Sequence, residues 1–283
     1  MEIKFNKVSY IYNEKTPLKK EVLKDINITI EEGKINGIIG KSGSGKTTLV
    51  EMINALIMPT IGSIKIDKYL IQANKKILNI NDLRFNIGLV FELPEEQFFN
   101  ATVKKEIEFG MRYFNYKTEK IDMRVSDALK MVGLDDSYLG RDPFSLSGGE
   151  KRKVAIASVL AFNPKVVILD EPTIGLDSSS KDNLVKIIKM LKNKYHKTII
   201  VVSHDVDLLH RLVDYLFVIH NKGVVMQGTK YDVFKETDEL KRYGLSVPKI
   251  IEFSNKVLSK KQIKMGYRDD INDLIKDIYR YVK

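Results

Sequence analysis

The chain has 283 residues, 43% of them hydrophobic, enough for the core of one large domain or of a domain with a small appendage. It has no cysteine, which excludes disulfides and thiolate metal sites, and no apolar run reaches the roughly 18 residues needed to cross a bilayer. Any membrane role is therefore expected to be peripheral, and the opening Met1-Glu2-Ile3-Lys4 does not read as a signal peptide. The net charge of +10 suits an anionic partner such as nucleotide, nucleic acid or a lipid surface, although lysines spread along the whole chain equally fit a solvated surface.

From the N-terminus, Glu2 to Tyr12 and Val22 to Ile30 alternate apolar and polar residues around a polar loop, which predicts an antiparallel β layer. Ile35 to Ile39 is a short apolar strand, and Thr47 to Leu56 carries Leu49, Ile53 and Leu56 at helical spacing. Ser63 to Asp67 and Ile87 to Phe91 read as further strands, and the segment from Glu95 to about Gly110 reads as a helix. Residues 119 to 133 predict an amphipathic helix stopped by Gly133. Strands return at Val166 to Leu169, Thr198 to Ser203 and Leu216 to Ile219, alternating with helices over 178 to 194 and 205 to 213. From Tyr231 onward the chain is helix-rich and charged, broken at Gly244 to Pro248, so an appendage boundary is placed near residue 230.

Between the Ile35 strand and the helix after it lies Gly40-Lys41-Ser42-Gly43-Ser44-Gly45-Lys46-Thr47, followed by Thr48, which fits G-x-x-x-x-G-K-[ST]. Glycines there let backbone N–H groups point at phosphate oxygens, Lys46 can reach the β- and γ-phosphates, and Thr47 can ligate Mg²⁺. A tyrosine just before the polar loop that contains Thr16-Pro17 can stack its ring on adenine. Tyr12 is chosen over Tyr10 for this, the alternative being a tyrosine that packs on its own sheet. Downstream, Ser147-Gly148-Gly149-Glu150 precedes a helical pattern; Ser147 and Glu150 form an S-x-x-E capping box, and the paired glycines also expose N–H donors able to hold an anion. The apolar strand from Val166 ends in Asp170-Glu171: Asp170 can hold the Mg²⁺ shell, and Glu171 can orient and deprotonate an attacking water.

The phosphate loop, Leu146-Ser147-Gly148-Gly149-Glu150, the Val166 to Pro172 strand end, Gly175-Leu176-Asp177 and Ser203-His204-Asp205 stand in the order found in ABC ATPases. Over about residues 1 to 230 the chain resembles that family. Val8 to Tyr12 with Thr16-Pro17, Val90 to Gln97, Val154 to Ala157 and Tyr231 to Phe234 resemble the ATPase subunits of energy-coupling factor (ECF) vitamin and metal transporters, especially the second of two A-subunit paralogues. The resemblance implies an α/β P-loop core with an N-terminal antiparallel β layer, a helical subdomain inserted at about 93–160 and a small helical extension over 231–283 that can serve as a dimer contact. It implies a head-to-tail dimer, with itself or a paralogous ATPase, in which ATP lies between the phosphate loop of one subunit and Ser147-Gly148-Gly149 of the other. His204 would contact the γ-phosphate and the water, and Asp177 would communicate across the dimer, while His196, His210 and His220 are read as surface or packing residues.

An ATP-hydrolysing motor of an importer at the cytoplasmic face of the cell membrane follows from this resemblance, with an integral coupling subunit and a substrate-binding membrane subunit as partners and no nucleic acid expected. The competing readings are a soluble ABC ATPase acting on nucleic acid or ribosomes, and a nucleotide sensor that hardly hydrolyses. Two positions depart from the family pattern: Glu92 and Glu150 stand where most members carry Gln. Glu150 preserves the capping box, and Glu92 can ligate Mg²⁺ better than an amide, or else face solvent or a lysine. Phe98 and Phe99, in a polar setting, are expected either to contact a membrane partner or to fill the helical subdomain's own core.

Overall fold

The computed structural model describes residues 1–114, 118–261, 268–269 and 271–281. Of the expected helical subdomain and extension, residues 115–117, 262–267, 270 and 282–283 lie outside the described residues.

The alternating N-terminal segments become β1 (Ile3–Tyr12) and β2 (Lys20–Ile30), joined by β4 (Ile61–Ile66) and β5 (Tyr69–Gln72) in a four-stranded antiparallel sheet of order β2-β1-β4-β5. The apolar strands behave differently. β3 (Ile35–Ile39), β7 (Val166–Asp170) and β8 (Thr198–Val202) are buried at every position and pair in parallel, as strands covered on both faces must. With β6 (Ile87–Val90), β9 (Tyr215–His220) and β10 (Gly223–Thr229) they form a six-stranded sheet of order β10-β9-β3-β8-β7-β6, parallel except for the β9–β10 hairpin.

One apolar cluster fills the space between the two sheets, joining Ile3, Ile26 and Ile64 to Ile38, Ile168 and Val202. The other lies on the opposite face of the parallel sheet. There α5 (Gly148–Leu160), α6 (Ser178–Asn193) and α7 (Val206–Leu212) cover the strands, and α3 (Val103–Tyr113) and α4 (Ile121–Met131) pack through Ile107, Val125 and Leu129. Val233 and Phe234 of α8 (Lys230–Lys235) and Leu240 of α9 (Thr237–Arg242) enter this second cluster, and Ile251 of α10 (Lys249–Lys261) lies at its edge; α11 (Ile271–Tyr281) follows.

Three expectations change. The helix expected from Glu95 to Gly110 is a single 3-10 turn, Pro94–Gln97, and then α3 from Val103, because Thr102 caps α3 from an extended backbone and Glu106 accepts from the Asn100 backbone N–H at 2.9 Å, which keeps residues 98–102 out of the helix. The helix after the phosphate loop is α1 (Lys46–Ile53), shorter than expected because Ala55 takes a left-handed conformation, φ 52°. β5, β10 and the short helix α2 (Ile80–Asn86) were not legible: all three are only partly buried, so their apolar periodicity is weak.

Candidate nucleotide-binding cleft

The topology brings the carboxyl ends of β3, β7 and β8 together, where helices begin and a charged ligand can be held. A cavity of about 470 Å³ opens there, between these strand ends and the tip of the antiparallel sheet. Tyr12, Ser42, Gly43, Gly45, Lys46, Thr47, Thr48, Glu92, Asp170, Glu171 and His204 line it. Lys20, Val22 and Ile174 line it too and were missed, since nothing in their local sequence marks a site. Gly40 and Ser44 belong to the loop itself: a Cβ at Gly40 would come within 2.5 Å of both Ser44 Oγ and the Ile219 carbonyl.

The loop is built so that α1 starts without a side-chain cap. Its N-cap is Gly45, φ 100°, where a Cβ would also meet Leu23 at 2.8 Å, so the first N–H groups of α1 are left for a ligand. Lys46 donates to the carbonyls of Gly40 at 2.9 Å and Lys41 at 3.0 Å. Burial pushes its ammonium below the usual lysine range, against the opposing pull of Glu171, Asp170 and Glu92. Tyr12 remains exposed, with its hydroxyl 3.0 Å from Thr48 Oγ1 and its ring edge-on to Tyr10.

The Thr47 hydroxyl donates to Asp170 Oδ2 at 2.7 Å, while Asp170 Oδ1 is buried without a protein partner. Burial, reinforced by the charges of Glu171 and Glu92, pushes the Asp170 carboxyl up to about 6, against the Thr47 hydrogen bond and Lys46. A hydroxyl, a buried carboxylate with a free oxygen and the nearby Glu92 carboxylate make an all-oxygen donor set suited to Mg²⁺, which takes few protein ligands when phosphates supply the rest. Glu171, the next residue, is held in a left-handed backbone conformation, φ 45°, which no glycine relieves. Its Oε2 accepts from Ser203 Oγ at 3.0 Å and its Oε1 lies 2.8 Å from His204 Nδ1. Ser203 is thus part of the site, flagged in the sequence only by being next to His204.

The signature segment lies elsewhere, and none of Ser147, Gly148, Gly149, Glu150 or Asp177 lines the cavity. Ser147 N-caps α5 with a complete capping box. Its hydroxyl and backbone N–H both donate to Glu150 Oε2, at 2.6 and 2.9 Å, and Tyr138 donates to Oε1 at 2.6 Å. These bonds, that from the Ser147 hydroxyl first, hold the Glu150 carboxyl down at about 2. Tyr138 was missed because it ends a single 3-10 turn, Asp136–Tyr138, with no motif around it. A Cβ at Gly149 would come within 2.7 Å of Ser180 Oγ on α6, so the Ser180 hydroxyl would have to turn away. Asp177 N-caps α6, accepting from the Ser180 N–H at 2.7 Å.

Phe98 is buried, whereas Phe99 is 60% exposed and meets Phe109 edge-on at 4.7 Å, so one ring serves the core and the other is available to a partner. His196 is exposed, His210 is buried against Phe234, and His220 packs on Tyr243. No described helix is long and apolar enough to cross a membrane.

The sequence profile of the ABC transporter family matches residues 23–174. The chain is 42% identical over 99% of its length to a Clostridium acetobutylicum protein named energy-coupling factor transporter ATP-binding protein EcfA2, covering 94% of that protein. It is 43% identical over 88% of its length to the Clostridium perfringens protein of the same name, covering 87% of it. Among solved structures it is similar to cbiO1 of Clostridium perfringens, described as part of the ABC transporter complex cbiONQ, with a TM-score of 0.74, 32% identity and coverage of 89% of this chain and 98% of that one. A dimeric ATP-binding cassette, MJ0796, described in a post-hydrolysis state bound to ADP and Pi, matches with a TM-score of 0.71, 29% identity and coverage of 81% and 98%.

Proposed function

The chain belongs to the ABC transporter ATPase family, in its energy-coupling factor branch, and from that premise we propose that it binds and hydrolyses ATP to power an importer of vitamins or other micronutrients. The observation that carries the chemistry is the pairing at the end of β7: Asp170 faces Thr47 of the phosphate loop, and Glu171 is aimed by Ser203 and His204.

In this reading Tyr12 stacks on adenine, and the loop from Gly40 to Thr48 holds the phosphates with Lys46 beside the β- and γ-groups. Thr47, Asp170 and Glu92 would hold Mg²⁺, which would offset the charge of the phosphates. Water attacks the γ-phosphorus, the bond to the β–γ bridging oxygen breaks, ADP departs, and Glu171 takes the water's proton. His204 keeps the Glu171 carboxylate in place and faces the γ-phosphate. A second ATPase subunit, either another copy or a paralogue, meets this site with its own signature segment, while Ser147 to Glu150 and Asp177 of this chain serve the partner's site.

We assign residues 1–230 to the nucleotide-binding unit, with the helical subdomain at 93–160, and 231–283 to an extension that can contact the other ATPase. The complex sits peripherally on the cytoplasmic face of the membrane, bound to an integral coupling subunit and through it to a substrate-binding subunit. Exposed Phe99, edge-on to Phe109, offers the coupling subunit an apolar anchor within a polar rim.

Glu171→Gln is expected to retain ATP binding and to lose turnover by about 100-fold or more, since the amide keeps the shape and lacks the base. Nucleotide binding and phosphate release measured side by side decide this; wild-type turnover would remove the assignment. Integral membrane subunits are expected to copurify with the wild-type chain and to be lost from a still folded, still ATP-binding Phe99→Asp. Retained copurification would move the docking surface elsewhere.

A further inference from the structure

The bulkiest side chain buried below 2% exposure among the described residues is a charged one, Arg152, two residues beyond Glu150 on α5. Its Nη2 donates to Glu95 Oε1 at 3.1 Å and to the Ile174 carbonyl at 3.0 Å. Arg152 Nε and Nη1 and Glu95 Oε2 are buried without a protein partner. A guanidinium in such a place is costly: burial favours its neutral form, and a close pair only partly offsets the loss of water. Uncharged residues of similar volume in place of both Arg152 and Glu95 would hold the fold about as well. Stability alone therefore does not account for an arginine here.

Its partners supply the reason. Glu95 lies in the Pro94–Gln97 turn, between Glu92 at the cleft and the exposed Phe99. Arg152 rides one turn into the helix that Ser147 caps. Ile174 lines the cleft in the loop that runs from Glu171 to Asp177. We infer that Arg152 is a positioning residue for ATP hydrolysis, tying the Glu92–Phe99 segment, the signature end of α5 and the Glu171–Asp177 loop into one unit that moves together. Both bonds leave one nitrogen, Nη2, whose two N–H groups are fixed in the guanidinium plane, so the direction to Glu95 and the direction to Ile174 are set together. A shift of the Phe99 surface then reaches both the signature end and the loop behind Glu171 through one side chain.

The inference rests on the ATPase reading above, and the test separates the two. Hydrolysis by the full-length chain copurified with its partner subunits is measured with ATP and Mg²⁺, beside thermal unfolding, for wild type, Glu171→Gln, Arg152→Met and the double variant Glu95→Gln/Arg152→Met. Wild-type hydrolysis that disappears in Glu171→Gln upholds the ATPase reading by itself. Arg152→Met is expected to unfold at a lower temperature, because Glu95 is left buried and unpaired. The double variant, which buries no lone charge, regains wild-type unfolding, yet its kcat stays about tenfold or more below wild type while KM for ATP changes by less than about twofold. A double variant as active as wild type, or one whose defect lies in KM, overturns the positioning role. A double variant no more stable than Arg152→Met overturns it as well, because the arginine is then needed for folding. Absence of hydrolysis in the wild-type complex removes the ATPase reading and the inference with it.

Discussion

Two helices in this molecule begin at glycine-rich turns, and they treat their N-termini in opposite ways. α1 starts at Gly45 with no side-chain cap, Ser44 Oγ is buried without a partner, and the Lys46 ammonium is folded over the loop carbonyls. α5 starts at Ser147 with its cap complete, and both Glu150 oxygens are already occupied by Ser147 and Tyr138. The same local device, a cluster of N–H donors at the positive end of a helix, is thus left uncapped in one place and partly closed in the other, where Ser147 and Glu150 take each other's N–H groups. An open end can receive phosphate within a single subunit. A closed end must exchange internal hydrogen bonds for those of a ligand, which fits a segment that acts only when another subunit brings nucleotide to it.

The sharpest way to break this contrast is at Lys46. Lys46→Ala is expected to weaken ATP binding by about 100-fold, on the order of 3 kcal/mol for a lost charge-assisted contact to phosphate, with little change in unfolding temperature. Binding within a few-fold of wild type would mean that the open loop does not depend on its ammonium. Glu92→Gln tests the metal side of the same cleft: the Mg²⁺ concentration for half-maximal hydrolysis should rise several-fold, while metal-free nucleotide binding stays unchanged or improves slightly. Superimposable Mg²⁺ titrations would show that Glu92 is not a ligand.

The smallest effect is expected at the closed end. Glu150→Gln keeps a residue able to complete the capping box, so stability at neutral pH should fall by about 1 kcal/mol or less. The sign of its pH dependence follows from the lowered folded-state pKa of about 2, against 4.5 for the unconstrained group. Between these values the unfolded chain binds the extra proton, so the carboxylate's contribution is fully present above pH 4.5 and is lost as pH falls towards 2. The gap in unfolding temperature between wild type and Glu150→Gln should therefore hold from pH 5 to 8 and close at lower pH. A gap independent of pH would mean that the charge of Glu150 contributes nothing to the cap.

Much of this was legible because the residues concerned answer to one strong constraint each. The parallel strands read clearly, since burial on both faces forces continuous apolar runs, and the Gly40 to Thr47 loop and the Asp170-Glu171 pair, which the fold brings to one cleft, stood out as candidates because the chemistry expected of them admits few residue types. β10 did not, being half-exposed and bounded by Gly223 and Gly228, and the Glu95 segment misled because its helix-favouring residues are overruled by the Glu106 bond to Asn100. Ser147 could be read as a partner of Glu150, but Tyr138 and Glu95, the other partners of Glu150 and Arg152, could not: they stand 12 and 57 residues away along the chain, and only the fold makes them neighbours.

The left-handed turn at Glu171 sets two demands on one position against each other. Holding a residue with a Cβ at φ 45° costs on the order of 1 kcal/mol, which a glycine would recover. A glycine would also delete the carboxylate to which we assign the water's proton. It would also leave the buried Ser203 hydroxyl without its acceptor and His204 without its partner, so relief of the backbone is offset by hydrogen bonds that only this side chain makes.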